Sequence, residues 1–173
     1  MNEAPDAFDE IIAYVAICRL QDRYADIVTR RAWVELAEIM RPDCQITLDL
    51  LDRTLEIMGP HEIGDFIGTQ IERFDFFQFV IVNRVIDVDP GTGRAGARMF
   101  IQEARQSVAE GRRCDTYGVY HDRFERGEDG QWRFARRRYQ PVARPDPTDH
   151  GSDLTVYPLP TTPLDELRDG RHG

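Results

Sequence analysis

Lysine is absent from this 173-residue chain, and all 22 basic residues are arginine. With no lysine there is no Schiff-base nucleophile for pyridoxal phosphate or lysine-type aldolase chemistry, and no P-loop lysine to reach a phosphate. Cysteine is scarce. Cys18, Cys44 and Cys114 are widely separated, odd in number and form no CxxC pair. That excludes a disulfide framework and fits a reducing cytosol. The four histidines, His61, His121, His150 and His172, never fall within helical or strand-pair spacing of one another, so no local zinc motif and no metal is expected. Positive charge is in deficit, with 31 acidic residues giving a net charge of −9. A protein that coats phosphates carries the opposite balance, so no nucleic-acid partner is expected. Long apolar runs are missing too. The longest is Ile11–Cys18, far short of the ~20 residues that span a bilayer. Asn2–Glu10 is acidic, unlike a basic-then-apolar leader. A cytoplasmic protein with no membrane partner is therefore expected.

What remains is enough to fold. Hydrophobic residues make up 41% and aromatics 10%, ample for one buried core. Phe8, Ile11, Ile12, Val15, Leu20, Tyr24, Ile27 and Val28 recur near helical spacing, which predicts a helix over 8–29 with Asp6 as its N-cap. A shorter helix fits Ala32–Met40 and ends at Arg41-Pro42. Cys44–Leu50 alternates like a strand. Gly59-Pro60 opens a third helix carrying Ile63, Phe66, Ile67 and Ile71. Phe76–Val88 is a near-continuous apolar run, the pattern of a strand buried on both faces. Arg94–Ser107 alternates, with Ala95, Ala97, Met99 and Ile101 on one face. Asp115–Arg126 and Gln131–Gln140 are strands joined by a turn ending in Asp129-Gly130. Helices first and a strand meander after them argue for an α+β domain over 1–140. Residues 141–173 hold six of the ten prolines and little periodicity, the composition of a tail.

Three groups of residues resemble the SnoaL-like branch of the nuclear transport factor 2-like superfamily. The first is Gln21-Asp22-Arg23-Tyr24-Ala25 with Arg30-Arg31-Ala32-Trp33 and Leu36-Ala37. The second is Asn83 followed by Ile86-Asp87-Val88-Asp89. The third is Tyr120–Arg126 with Asp129–Phe134 and Arg137-Arg138. Together they cover about residues 10–140 in order. The resemblance implies a cone-shaped α+β barrel: three helices on a strongly curved antiparallel or mixed sheet, an apolar pocket open at one end, and a homodimer through the outer sheet face. It also implies a hydrophobic small-molecule partner and no cofactor.

Dehydratases of this superfamily use a pocket His–Asp pair. Counted from the Tyr24–Trp33 landmark, the aspartate position falls on Thr29, the strand tyrosine on Leu48 and the histidine on Phe79. None of these exchanges a proton near neutral pH. Steroid isomerases of the superfamily use a tyrosine and a protonated aspartate to hold an enolate oxygen. Tyr24 matches the tyrosine, and Asp122 is the candidate aspartate. The base position falls on Leu48, with Asp49 one residue away on the opposite strand face. Epoxide hydrolases of the superfamily activate water with an Asp–Arg–Asp set. Here Glu103 and Arg105 continue the apolar face of their strand and could meet Asp122 or Arg138. Either Tyr120/Asp122/Phe124 or Val119/His121/Arg123 faces the pocket. Catalytic candidates are thus Tyr24, Asp122, Glu103, Asp49 and His121. Trp33, Leu48, Phe79, Asn83, Met99, Ile101, Tyr120 and Arg138 are candidates for the pocket wall. Each has a plainer reading: Tyr24 as a core residue, Asp122–Arg138 as a cross-strand ion pair, His121 as a surface strand residue. Two functions stay open. One is a cofactor-independent isomerase, cyclase or dehydratase on a steroid, polyketide, terpenoid or aromatic. The other is a non-catalytic binding protein or a subunit like the β subunit of ring-hydroxylating dioxygenases.

Overall fold

A computed structural model of the chain describes residues 7–109, 111–145, 154–159 and 162–171. The first helix, α1, spans Ala7–Arg30 and buries Ala13, Ile17, Gln21, Tyr24, Ile27 and Val28 at helical spacing. Phe8, Ile11, Ile12 and Val15 do not share that face; they are exposed. At about 100° per residue, Phe8, Ile11 and Val15 fall on the far side of the helix from Ile17 and Tyr24. Arg31 closes α1 in the left-handed conformation (φ 60°). Ala32 N–H then donates back to the Ile27 carbonyl at 3.0 Å. The Arg31 guanidinium donates to the Phe74 carbonyl at 2.6 Å, tying the helix end to the sheet. Asp6, the expected N-cap, lies outside the described residues.

The helix predicted over Ala32–Met40 is a 3-10 turn, Trp33–Glu35, followed by the four-residue α2, Leu36–Ile39. Pro42 forces the chain into extended backbone, and β1 runs over Met40–Asp49, starting earlier than its alternation predicts. A short strand not foreseen, β2, covers Thr54–Met58. Its hairpin turns through Leu51 at φ 76°, a non-glycine position that gives no turn signal in the sequence. Next, α3 spans Gly59–Ile71 with proline in its first turn, and the Glu62 carboxylate accepts the Met58 N–H at 3.2 Å. The remaining strands are β3 (Phe74–Asp89), β4 (Arg94–Ser107), β5 (Thr116–Arg126), β6 (Trp132–Pro145) and β7 (Leu154–Val156), and α4 covers Leu164–Asp169.

One mixed seven-stranded sheet results, in the order β2-β1-β6-β5-β4-β3, with β7 also on β6. Every neighbour is antiparallel except β1 and β6, which run parallel. The sheet curves without closing, and α1 and α3 lie in its concave side, with α1 against β3 and β6 and α3 against β1. This is the α+β cone. The apolar run of β3 is not buried on both faces, because β3 is the sheet edge; Phe76, Val82 and Val85 face solvent. No helix among the described residues is long and apolar enough to cross a membrane.

Among the described residues, parts of the C-terminal stretch pack on this domain. β6 continues to Pro145, and α4 packs on the convex side of β4, the face where the resemblance implies a dimer. Gly96 permits that contact. A Cβ there would strike the Leu164 carbonyl oxygen and come within 2.7 Å of Arg168 N, both backbone atoms. An Arg168–Asp87 ion pair at 2.9 Å also ties the helix to β3, where Asp87 is the cross-strand partner of Gly96. Overpacking of this kind costs about 1–3 kcal/mol. Gly96→Ala is therefore expected to release α4. Amides 164–170 will then exchange with deuterium at least tenfold faster while those of β5 stay protected. Unchanged exchange at 164–170 would contradict the docking.

Candidate active site

Strand pairing decides which side chains share the concave face. Ala95, Ala97, Met99, Ile101 and Glu103 lie opposite Phe124, Asp122, Tyr120, Gly118 and Thr116 in turn. Of the two registers left open by the sequence, Tyr120/Asp122/Phe124 is the inward one. His121 points to the convex side, into a cleft of about 60 Å³ with Arg123, Arg136 and Arg138 beside α4. β6 carries a bulge. Phe124 pairs with Phe134 but Arg123 pairs with Arg136, so Ala135 is an extra residue. The bulge turns Phe134, Arg137 and Tyr139 inward and sends Arg136 and Arg138 outward.

Asp122 therefore meets Arg137, not Arg138. Arg137 Nε donates to Asp122 Oδ1 at 2.8 Å and Nη2 to Oδ2 at 3.3 Å, with the two side chains 1% and 0% exposed. Three rings surround the guanidinium. Its carbon lies 3.9 Å from the Tyr24 centroid, 4.2 Å from Tyr120 and 4.3 Å from Phe134. Cation–π attraction is strongest when, as here, the cation is desolvated. Burial pushes the Asp122 carboxyl above its ordinary range, while the charge and hydrogen bonds of Arg137 pull it back. Gln21 lies near enough to help hold it down, although its amide forms no hydrogen bond of ordinary geometry among the described residues.

Above this pair opens a cavity of about 890 Å³. Its wall includes Tyr24, Leu48, Phe79, Glu103, Thr116, Tyr120 and Tyr139. The Tyr24 and Tyr120 rings meet edge to face with centroids 6.1 Å apart, and burial raises both phenols above their ordinary range, Tyr120 strongly. Glu103 accepts from the Thr116 hydroxyl at 3.1 Å and stands 3.6 Å from Arg105. It is sunk in the wall, yet 22% of its side chain stays accessible because it lines the cavity. Burial raises its carboxyl above the usual range; Arg105 and Thr116 oppose the shift. Burial lifts the Tyr139 phenol as well, and the Glu103 charge adds to the rise at Tyr24, Tyr120 and Tyr139. Gly118 makes room for this cluster, since a Cβ there would collide with the Tyr139 ring.

Other candidates lie elsewhere. Asp49 accepts the Leu51 N–H at 3.1 Å in the hairpin loop and stays off the cavity wall, as strand alternation from Leu48 requires. Trp33 packs on Gly64 and Gly68 of α3. Asn83 is exposed beside a bulge in β3. Met99 and Ile101 are solid core beneath the cavity, and Arg138 is on the outer surface. Cys44 is inert, its thiol pushed up to about 12 by burial. Among the described residues no group of three or more His, Cys, Asp or Glu is arranged to hold a metal. Thr29 and Phe79, where the resemblance places the aspartate and histidine, are neighbours: Phe79 N–H donates to the Thr29 hydroxyl at 3.1 Å. Arg137, Tyr139, Thr116 and Gln21 are site residues that the sequence did not single out.

Breaking a buried ion pair from one side strands the other charge, at about 3–5 kcal/mol. Asp122→Asn is expected to cost that much in urea unfolding. The double change Asp122→Leu/Arg137→Met is expected to recover most of it. A single variant within about 1 kcal/mol of the parent would show that the pair does not hold the site.

The comparisons with known proteins agree with this geometry. The model of the SnoaL-like domain matches residues 9–138. No curated protein matches the chain. Among solved structures, LinA superposes with a TM-score of 0.71 at 19% identity, covering 84% of this chain and 97% of LinA. A scytalone dehydratase candidate from Novosphingobium aromaticivorans gives 0.68 at 20% identity, covering 90% of this chain and 94% of its own. A hexachlorocyclohexane dehydrochlorinase, LinA-type3 from Novosphingobium barchaimii, gives 0.71 at 18%, covering 86% and 99%. At such identities the likeness is one of fold. With its cone, its inward tyrosine and its family match over most of the chain, this protein belongs to the SnoaL-like domain family.

Proposed function

We propose that this protein is an acid–base enzyme of the isomerase, cyclase or dehydratase kind, acting on a largely apolar, ring-bearing small molecule. One observation carries the proposal. A carboxyl held high by burial, Glu103, shares a cavity wall with the adjoining phenols of Tyr24 and Tyr120. A base works best when its pKa lies toward the working pH, and burial moves Glu103 that way. Glu103 takes a proton from a carbon next to a carbonyl. The electron pair moves onto the carbonyl oxygen, and the Tyr24–Tyr120 pair donates to that oxygen as charge develops. The proton then returns at another carbon, an isomerisation, or a leaving group departs, an elimination. These side chains supply every group the step needs, so no cofactor is invoked. Asp122 is left out of the chemistry because Arg137 occupies both its oxygens.

A second reading, a non-catalytic binding protein, draws support from Thr29 and Phe79, which leave the cavity without the dehydratase pair. Deuterium exchange of 2-tetralone in D2O, followed by proton NMR, separates the two. Glu103→Gln is expected to slow exchange about 10²–10⁴-fold and Tyr24→Phe about 10²–10³-fold, with both variants still folded and melting cooperatively. Exchange at the buffer rate, or rates unmoved in both variants, would favour binding alone.

Glu103 also makes a stability prediction. Its folded carboxyl titrates higher than its unfolded one, so the folded state holds the extra proton between the two values. The parent protein gains stability as pH falls through that window and loses it as pH rises. Glu103→Gln removes the ionised group. It is expected to melt higher than the parent at neutral pH, with the gap closing as pH drops towards the ordinary glutamate range. A gap that is constant with pH would contradict the buried carboxyl.

A further inference from the structure

The chain is acidic, with net charge −9, yet its cavity is rimmed by arginine. Arg53, Arg73, Arg105, Arg112, Arg113 and Arg144 all line it, against only Glu103 and Asp115. The imbalance is four positive charges. These residues come from the β1–β2 hairpin, the α3–β3 connection, the end of β4, the β4–β5 loop and the end of β6, which the strand order gathers at one end of the sheet. The opposite part of the lining is apolar, with Leu48, Phe66, Ile67 and Phe79.

Many arginines elsewhere on the surface are matched with carboxylates, although the exposed Arg19, Arg94 and Arg138 make no ion pair among the described residues. Arg23, Arg30, Arg41, Arg84, Arg133 and Arg168 each hold a carboxylate oxygen at 2.6–2.9 Å. The rim differs. Arg113 pairs with Asp115 at 3.2 Å and Arg105 stands by Glu103 at 3.6 Å. Arg53, Arg73 and Arg144 make no ion pair among the described residues. Arg73 lies over the Phe74 ring at 5.0 Å and Arg144 over Tyr157 at 5.9 Å. Asp52 and Glu72 adjoin two of these arginines in sequence, but both are exposed and neither lines the cavity. Low-dielectric walls lined by one sign of charge focus the field and concentrate ligands of the other sign. Arginine adds a planar fork that fits a carboxylate or a phosphate.

We infer that the ligand is an amphiphile: an apolar ring system seated against Leu48, Phe66 and Phe79, with an anionic group held at the mouth by Arg53, Arg73 and Arg144. The inference rests on the cavity being a small-molecule site and names the class of molecule it takes. The anion would reach the rim while the ring end sits near Glu103 and Tyr24. A carboxylate and a phosphate share this chemistry.

Calorimetric titration with 2-naphthol, 2-naphthoate and 2-naphthyl phosphate tests it, since the ring is constant and only the charged group changes. At low salt at least one anion is expected to bind tenfold or more tighter than 2-naphthol, and the advantage is expected to shrink with added salt. Whichever anion leads identifies the carboxylate or the phosphate as the natural group. In the triple variant Arg53→Gln/Arg73→Gln/Arg144→Gln, checked for folding by circular dichroism, the advantage is expected to vanish while 2-naphthol affinity holds. If 2-naphthol binds as tightly as both anions, or if the advantage survives the triple variant, the anionic rim is refuted and the cavity reading stands. If none of the three binds, the cavity reading falls with it.

Discussion

A buried ion pair between Asp122 and Arg137 fixes the interior of this cone. Taking two charges out of water is expensive, and their attraction repays it only when geometry and hydrogen bonding are both good. Here the fork is bidentate, and the guanidinium is also covered by Tyr24, Tyr120 and Phe134. The pair ties β5 to β6, and through the Tyr24 ring it ties both strands to α1. Pairs like this add less net stability than an apolar core of equal volume, but they tolerate few alternative packings. What the pair secures is position: two phenols held at a set height over the strands, with their hydroxyls at the cavity edge.

From that constraint the division of labour among the acids follows. Asp122 and Glu103 both project from the concave face, and burial raises both carboxyls. Asp122 has a full counter-ion and no access to the cavity. Glu103 has only a partial one, Arg105 at 3.6 Å, and a hydroxyl from Thr116. One carboxylate is therefore spent on structure, and the other is free to exchange a proton. The resemblance implies an Asp–His pair of the dehydratase kind in the cavity. Thr29 and Phe79 occupy those positions here and spend their contact on a backbone hydrogen bond. In the proposed reaction, proton transfer falls to a different wall of the same cavity.

Much of the fold was legible because its signals are local. The period of α1, Gly59-Pro60, the alternation of β4 and the Asp129-Gly130 turn are all short-range. The misses share one cause, which is geometry with no residue signature. Leu51 turns the β1–β2 hairpin with a left-handed leucine. The extra Ala135 in β6 reverses which arginine of Arg136-Arg137-Arg138 faces inward. Strict alternation from Phe134 puts Arg136 and Arg138 inside, so Arg137 passes for a surface residue and Asp122 is assigned the wrong partner. In the site, Glu103 was reachable from the alternation of β4, Asp49 was set off the pocket face by the parity of β1, and Tyr24 came from helix period together with the resemblance. Tyr120 and His121 needed the register of β5, which only pairing supplies. The C-terminal stretch, rich in proline and without periodicity, gave no hint that β6 extends to Pro145 or that α4 covers Gly96.

The central claim is that Glu103 is the proton-exchanging carboxyl of the cavity. Carbon-13 NMR titration of side-chain carboxyls, with Glu103 assigned by its absence in a glutamine variant, tests this most directly. The account predicts a Glu103 midpoint above the ordinary glutamate range in the free protein, rising further when a bound ring compound displaces water from the wall. A Glu103 midpoint at or below the ordinary range in the ligand-bound and free protein alike would contradict it.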